Sequence, residues 1–127
     1  MKVHDFRELE VYRKTFALQQ AVFELSKEFP REETYSLTDQ IRRSSRSTCA
    51  NLAEAYRKRI YPKHFITKLT DSDGENSETN VWLDFAKECG YISEEQYIPL
   101  HSECIEIGKL INFMINNPDK FGSSKSY

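Results

Sequence analysis

Apolar and polar residues recur along the chain with a helical period, and four helices are predicted. The first spans about residues 6–28 and stops at Phe29-Pro30. The second, 37–57, follows Ser36, an N-cap residue type with Asp39 three positions on. The third, 62–89, opens on Pro62, suited to a first helical turn, and closes at Gly90. The fourth, 94–116, follows Ser93, which with Gln96 forms a capping box; it stops before Asn117-Pro118. Pro99 is expected to kink this helix or delay its start. Residues 119–127 read as a flexible tail, and short linkers predict an antiparallel up-and-down four-helix bundle, all-α, in one domain over residues 1–118.

Helix 1 carries two apolar stripes, Leu9, Phe16 and Phe23, and Val11, Leu18 and Leu25. At about 100° per residue the stripes lie on nearly opposite sides. With Tyr12, Val22 and Phe29 the apolar arc reaches roughly 200°, wider than one packing face needs. The surplus predicts burial against another subunit, hence a homo-oligomer, with Val11, Leu18 and Leu25 at the interface. Helix 4 has an ordinary core stripe of Leu100, Cys104, Ile107, Ile111 and Met114, beside which Gly108 would permit close helix approach.

Helices 2 and 3 are polar where they should face inward. Gln40, Arg43, Ser47, Asn51 and Glu54 run along one side of helix 2, with Ser44 among them, and Ser72, Asn76 and Thr79 occupy the middle of helix 3. Buried polar groups need partners, so a side-chain network joining the two helices is expected, with Arg43 inside it. Glu54, Glu75 and Glu78 are candidates to converge on Arg43, as an ion-pair network or as an acid or metal site.

Composition narrows the function classes. The 127 residues carry a net charge of −2, with a sequence pI near 5.9, and contain only four Gly and four Pro. There is thus no chain-wide basic character and little of the turn content of a β-sandwich. Cys49, Cys89 and Cys104 are odd in number and lack C-x-x-C spacing, so buried reduced thiols in a cytoplasmic protein are expected, not disulfides or a zinc site. No apolar leader follows Met1 and no stretch suits a membrane span. None of His4, His64 and His101 has Glu three residues before it, which argues against a di-metal bundle site; His64 and His101 read as surface or rim residues. With no nucleophilic triad spacing and no Gly-rich phosphate loop, no catalytic residue, metal or cofactor is expected, and the chain reads as a non-enzyme.

Charge is segregated. Residues 37–59 hold Arg42, Arg43, Arg46, Arg57, Lys58 and Arg59 against Asp39 and Glu54, whereas residues 71–95 hold eight acids and one lysine. Arg42, Arg46, Arg57, Lys58 and Arg59 are the candidate nucleic-acid contacts, with Tyr56 and Tyr61 as stacking surfaces. The competing expectation is that helix 3 acids neutralise these basics, leaving a structural or adaptor assembly that binds another protein.

Phe29, Pro30, Glu33, Leu37, Gln40, Arg43, Ser47, Asn51, Ala53 and Glu54 resemble, in identity and spacing, the four-helix-bundle family encoded in 23S rRNA intervening sequences. Leu9-Glu10-Val11-Tyr12 is similar to the family's opening, and Tyr61–Phe65, Glu75–Thr79, Trp82–Ala86 and Gly90–Ile92 to one of its subgroups. Ala55 departs from the usual glycine, and Asp73-Gly74-Glu75 stands where many members have Gly-Ser. The resemblance implies a homopentamer, no attached enzymatic activity, and distant kinship with the pentameric accessory protein of diversity-generating retroelements, which engages a reverse transcriptase and nucleic acid.

Overall fold

A computed structural model describes residues 5–124; His4 and the last three residues of the expected tail lie outside them. Four helices account for the fold: α1 (Glu10–Ser26), α2 (Leu37–Arg57), α3 (Pro62–Glu88) and α4 (Glu94–Asn116). No strand occurs among the described residues. Each helix packs on the next and α4 returns to α1, so the four enclose one core. Val22, Ile41, Leu52, Phe65, Leu69, Leu83, Ile107, Ile111 and Met114 fill it.

The ends of the helices follow local chemistry, with three departures from expectation. Helix 1 is shorter than 6–28. Phe6–Glu8 breaks off as a 3-10 turn, capped by Asp5 Oδ1 accepting from Arg7 N at 2.9 Å, and Leu9 adopts an extended conformation. Ser36 does precede α2, but its hydroxyl does not cap it. That hydroxyl donates to Glu33 Oε1 at 2.6 Å, and the same oxygen accepts from Leu37 N at 3.3 Å. The carboxylate of the Arg31–Glu33 turn therefore takes the exposed amide of the helix start, where negative charge is favoured. Pro99 does not delay α4, which begins at Glu94 behind an intact Ser93–Gln96 capping box.

Pro62 occupies the first turn of α3, and Gly90 ends it at φ 77°. Gly90 N donates to Lys87 O and Tyr91 N to Ala86 O, a Schellman arrangement that needs the left-handed residue. Beyond α4, Pro118–Phe121 forms a further 3-10 turn with Phe121 edge-on to Phe113, so order extends into the segment read as a tail.

Helix 1 is where expectation and packing diverge most. Val11 and Leu18, expected at a subunit interface, are each 5% exposed and belong to this chain's own core; Leu25 is half-buried against it. Thr15 and Gln19 are buried beside them. The large apolar side chain left outward on α1 is Phe16, 40% exposed. Gly108 is also not required for close approach: a Cβ there would stand 3.7 Å from Asn76 Nδ2, an ordinary contact.

Candidate nucleic-acid interface

Helix α2 presents three different surfaces, because its apolar stripe is too thin to cover more than the core side. The α3 side is a polar seam. Deep in it, Ser44 and Thr79 hydroxyls are 2.8 Å apart, Ser72 Oγ donates to Thr48 O at 2.7 Å, and Asn76 Nδ2 donates across to Cys104 O of α4 at 2.8 Å. All of these side chains are buried, and their small size lets α2 and α3 share the most extensive helix contact. Asn76 Oδ1 is buried without a partner among the described residues.

The expected network therefore exists, but with other members. Gln40, Arg43, Ser47, Asn51 and Glu54 lie along the outer rim of the seam, and Arg43 is not inside: its side chain is 46% exposed. Arg43 Nη1 meets Glu75 at 2.9 Å and Nη2 meets Glu78, while Trp82 Nε1 also donates to Glu78. Gln40 Oε1 accepts from Arg43 Nε, and Asn51 donates to Ser47 within α2. Burial pushes the Glu75 carboxyl up, but hydrogen bonds from Arg43 and Ser47 outweigh it and hold the group below its usual range. Glu54 does not join Glu75 and Glu78. It pairs with Lys68 at 3.3 Å and Lys58 at 3.7 Å, and the Lys68 hydrogen bond, with that residue's charge, holds its carboxyl low.

The third surface carries the basic residues. At about 100° per residue, Arg42, Arg46 and Arg57 fall within about 60° of one another, turned away from α3. Among the described residues no carboxylate pairs with Arg42, Arg46, Arg57 or Arg59, so the α3 acids do not neutralise them; Lys58 is the member drawn off, by Glu54. Arg42 and Arg46 both lie over the Phe23 ring, at 4.7 and 5.2 Å, and Arg42 Nε donates to Ser26 Oγ at 2.7 Å. Phe23 was visible in the sequence as an α1 stripe residue; its place under two guanidiniums required the α1–α2 packing. Arg59 lies over Tyr56 at 4.0 Å and donates to Tyr56 O. Of the two expected stacking surfaces, Tyr61 is exposed, but Tyr56 is only 4% exposed and its ring serves the core.

The remaining chemistry is sparse. Among the described residues no three His, Cys, Asp or Glu side chains group so as to hold a metal ion. Of the free thiols, Cys104 is buried, and burial, with the nearby Glu103 and Asp84 charges, pushes its pKa up to about 12; Cys49 is half-buried and Cys89 is exposed, contrary to the expectation of three buried thiols. His64 is exposed, and His101 is half-buried, 2.9 Å from Asn80 Oδ1 and stacked on Tyr97. No helix of the described residues is long and apolar enough to cross a membrane.

Comparison with solved structures finds a protein of unknown function from the S23 ribosomal protein family of Bacteroides thetaiotaomicron. It is 31% identical, with a TM-score of 0.76 over 84% of this chain and 95% of that one. No curated protein matches the chain. The family model described as 23S rRNA-intervening sequence protein matches residues 7–113, which span α1 to α3 and most of α4. By that match and by its four-helix fold, the chain belongs to the 23S rRNA-intervening sequence protein family.

Proposed function

We propose that the chain is a non-enzymatic, antiparallel up-and-down bundle that assembles with itself and binds nucleic acid through the outer face of α2. The observation that carries the reading is the set of arginines without carboxylate partners among the described residues, Arg42, Arg46 and Arg57, on one face of α2. Arg46 and Arg57 are about 16 Å apart along the helix, so they can follow a phosphate backbone. Exposed Tyr61 supplies a face on which a base can stack. Self-assembly has its support in exposed apolar residues on three helices, Phe16, Val81 with Phe85, and Ile98 with Ile105. The family resemblance makes five the number of copies to test. Several copies of a weakly binding face combine by multivalency, which reconciles nucleic-acid binding with a net charge of −2.

Phosphate contacts release counterions, so binding should be nearly sequence-independent and should weaken about tenfold or more between roughly 50 mM and 200 mM salt. A titration with RNA and with DNA at both salts reads this, and Arg42→Ala with Arg46→Ala should weaken both ligands alike. Absence of binding at the lower salt overturns the reading and leaves an adaptor assembly that takes a protein partner.

A further inference from the structure

Arg7 has no part in the reading above, yet it faces the same end of α2. The turn Phe6–Glu8 packs on α2, and a cavity of about 210 Å³ lies between them, lined by Asp5, Phe6, Arg7, Tyr56, Arg57 and Arg59. Among the lining residues three arginines stand against one aspartate. Two of the guanidiniums are held by rings: Arg7 lies over Phe6 at 4.4 Å and Arg59 over Tyr56 at 4.0 Å. A planar fork fixed in this way loses little freedom when it takes an oxyanion. The C-terminal end of α2 disfavours an anion, but Arg59 Nη1 covers the Tyr56 carbonyl at 2.9 Å and offsets that field locally. Asp5 pairs with Arg7 at 3.3 Å and is the group an incoming anion would have to displace.

The geometry points to a site for a terminal phosphate, formed by Arg7, Arg57 and Arg59. A phosphomonoester carries about −1.5 to −2 charges near neutral pH and three acceptor oxygens, so it can engage more than one guanidinium at once. An internal phosphodiester has one charge, and chain continues on both sides of it. The cavity is smaller than the roughly 300 Å³ at which drug-sized pockets begin, so it admits a phosphate group and not a whole nucleotide. Internal phosphates belong instead on the open face at Arg42 and Arg46, and Arg57 stands where that face meets the cavity. The inference rests on the nucleic-acid reading for its ligand, since a free nucleotide presents the same group.

The test uses the full chain with three probes: a short single-stranded RNA carrying a terminal phosphate, the same RNA with hydroxyl ends, and adenosine monophosphate. The phosphorylated RNA should bind about tenfold more tightly than the hydroxyl-ended one. Arg7→Ala should abolish that preference and leave the hydroxyl-ended RNA unaffected. Asp5→Asn keeps the oxygen that accepts from Arg7 N but removes the competing charge, and should enlarge the preference. Equal binding of the two RNAs, or a preference that survives Arg7→Ala, overturns the site while leaving the nucleic-acid reading intact. Arg7-dependent binding of adenosine monophosphate without binding of either RNA supports the site and overturns the nucleic-acid reading.

Discussion

Asn76 and Arg43 carry weights opposite to their polarity. Arg43 makes the most conspicuous ion pairs of the α2–α3 seam, yet its side chain is nearly half exposed, and exposed pairs contribute about 1 kcal/mol or less. Asn76 makes one hydrogen bond to a backbone carbonyl but is 3% exposed, with an unpartnered oxygen beside it. Arg43→Ala should therefore lower unfolding free energy by about 1 kcal/mol or less. Asn76→Asp, nearly the same shape, would bury a charge against the Cys104 carbonyl and should cost about 3–5 kcal/mol near neutral pH. Urea denaturation followed by circular dichroism checks both. An Arg43→Ala loss larger than that of Asn76→Asp would mean that the rim, not the buried seam, holds the two helices in register.

At the scale of the elements, two glycines that the sequence singles out, one as a helix stop and one as a point of close approach, have different structural weights. Gly90 sits at φ 77° and nothing lies within 4 Å of the Cβ an alanine would add, so Gly90→Ala should cost about 1–2 kcal/mol through backbone strain alone. Gly108 is inside α4 with room for a Cβ, and there alanine should be neutral or stabilise by up to about 1 kcal/mol. Paired urea melts of the two variants give the comparison; equal losses would contradict it. The entry to α2 gives a parallel contrast. Ser36 was legible as a cap position, but Glu33 supplies the acceptor, because the 3-10 turn before the helix brings that carboxylate to Leu37 N.

For the whole molecule, the decisive quantity is apolar surface left uncovered after the four helices have closed. Phe16, Val81, Phe85, Ile98 and Ile105 are each at least 40% exposed, on α1, α3 and α4. Light scattering should give a particle several times 15.0 kDa, and Phe16→Glu or Phe85→Glu should reduce its mass while the chain stays helical. A helical monomer at micromolar concentration would overturn self-assembly. Leu18→Glu is the control of opposite kind: it puts a charge into this chain's own core and should unfold it.

The residues alone determined the number of helices, the bounds of α2 and α4, the Pro62 start and Gly90 stop of α3, and the family. The helices and their ends depend on local stereochemistry and on short-range periodicity, which adjacent residues encode; the family was legible instead in the identity and spacing of residues such as Gln40, Arg43, Asn51 and Glu54. The packing decided what those patterns could not: that Val11 and Leu18 face inward, that Ser44 and Thr48 are buried while Arg43 lies at the rim, and that Phe23 sits under Arg42 and Arg46. A helix's sequence gives the angle between two of its side chains but not the direction of its neighbours. A wide apolar arc or a continuous polar stripe therefore acquires an inside only when the other three helices are in place.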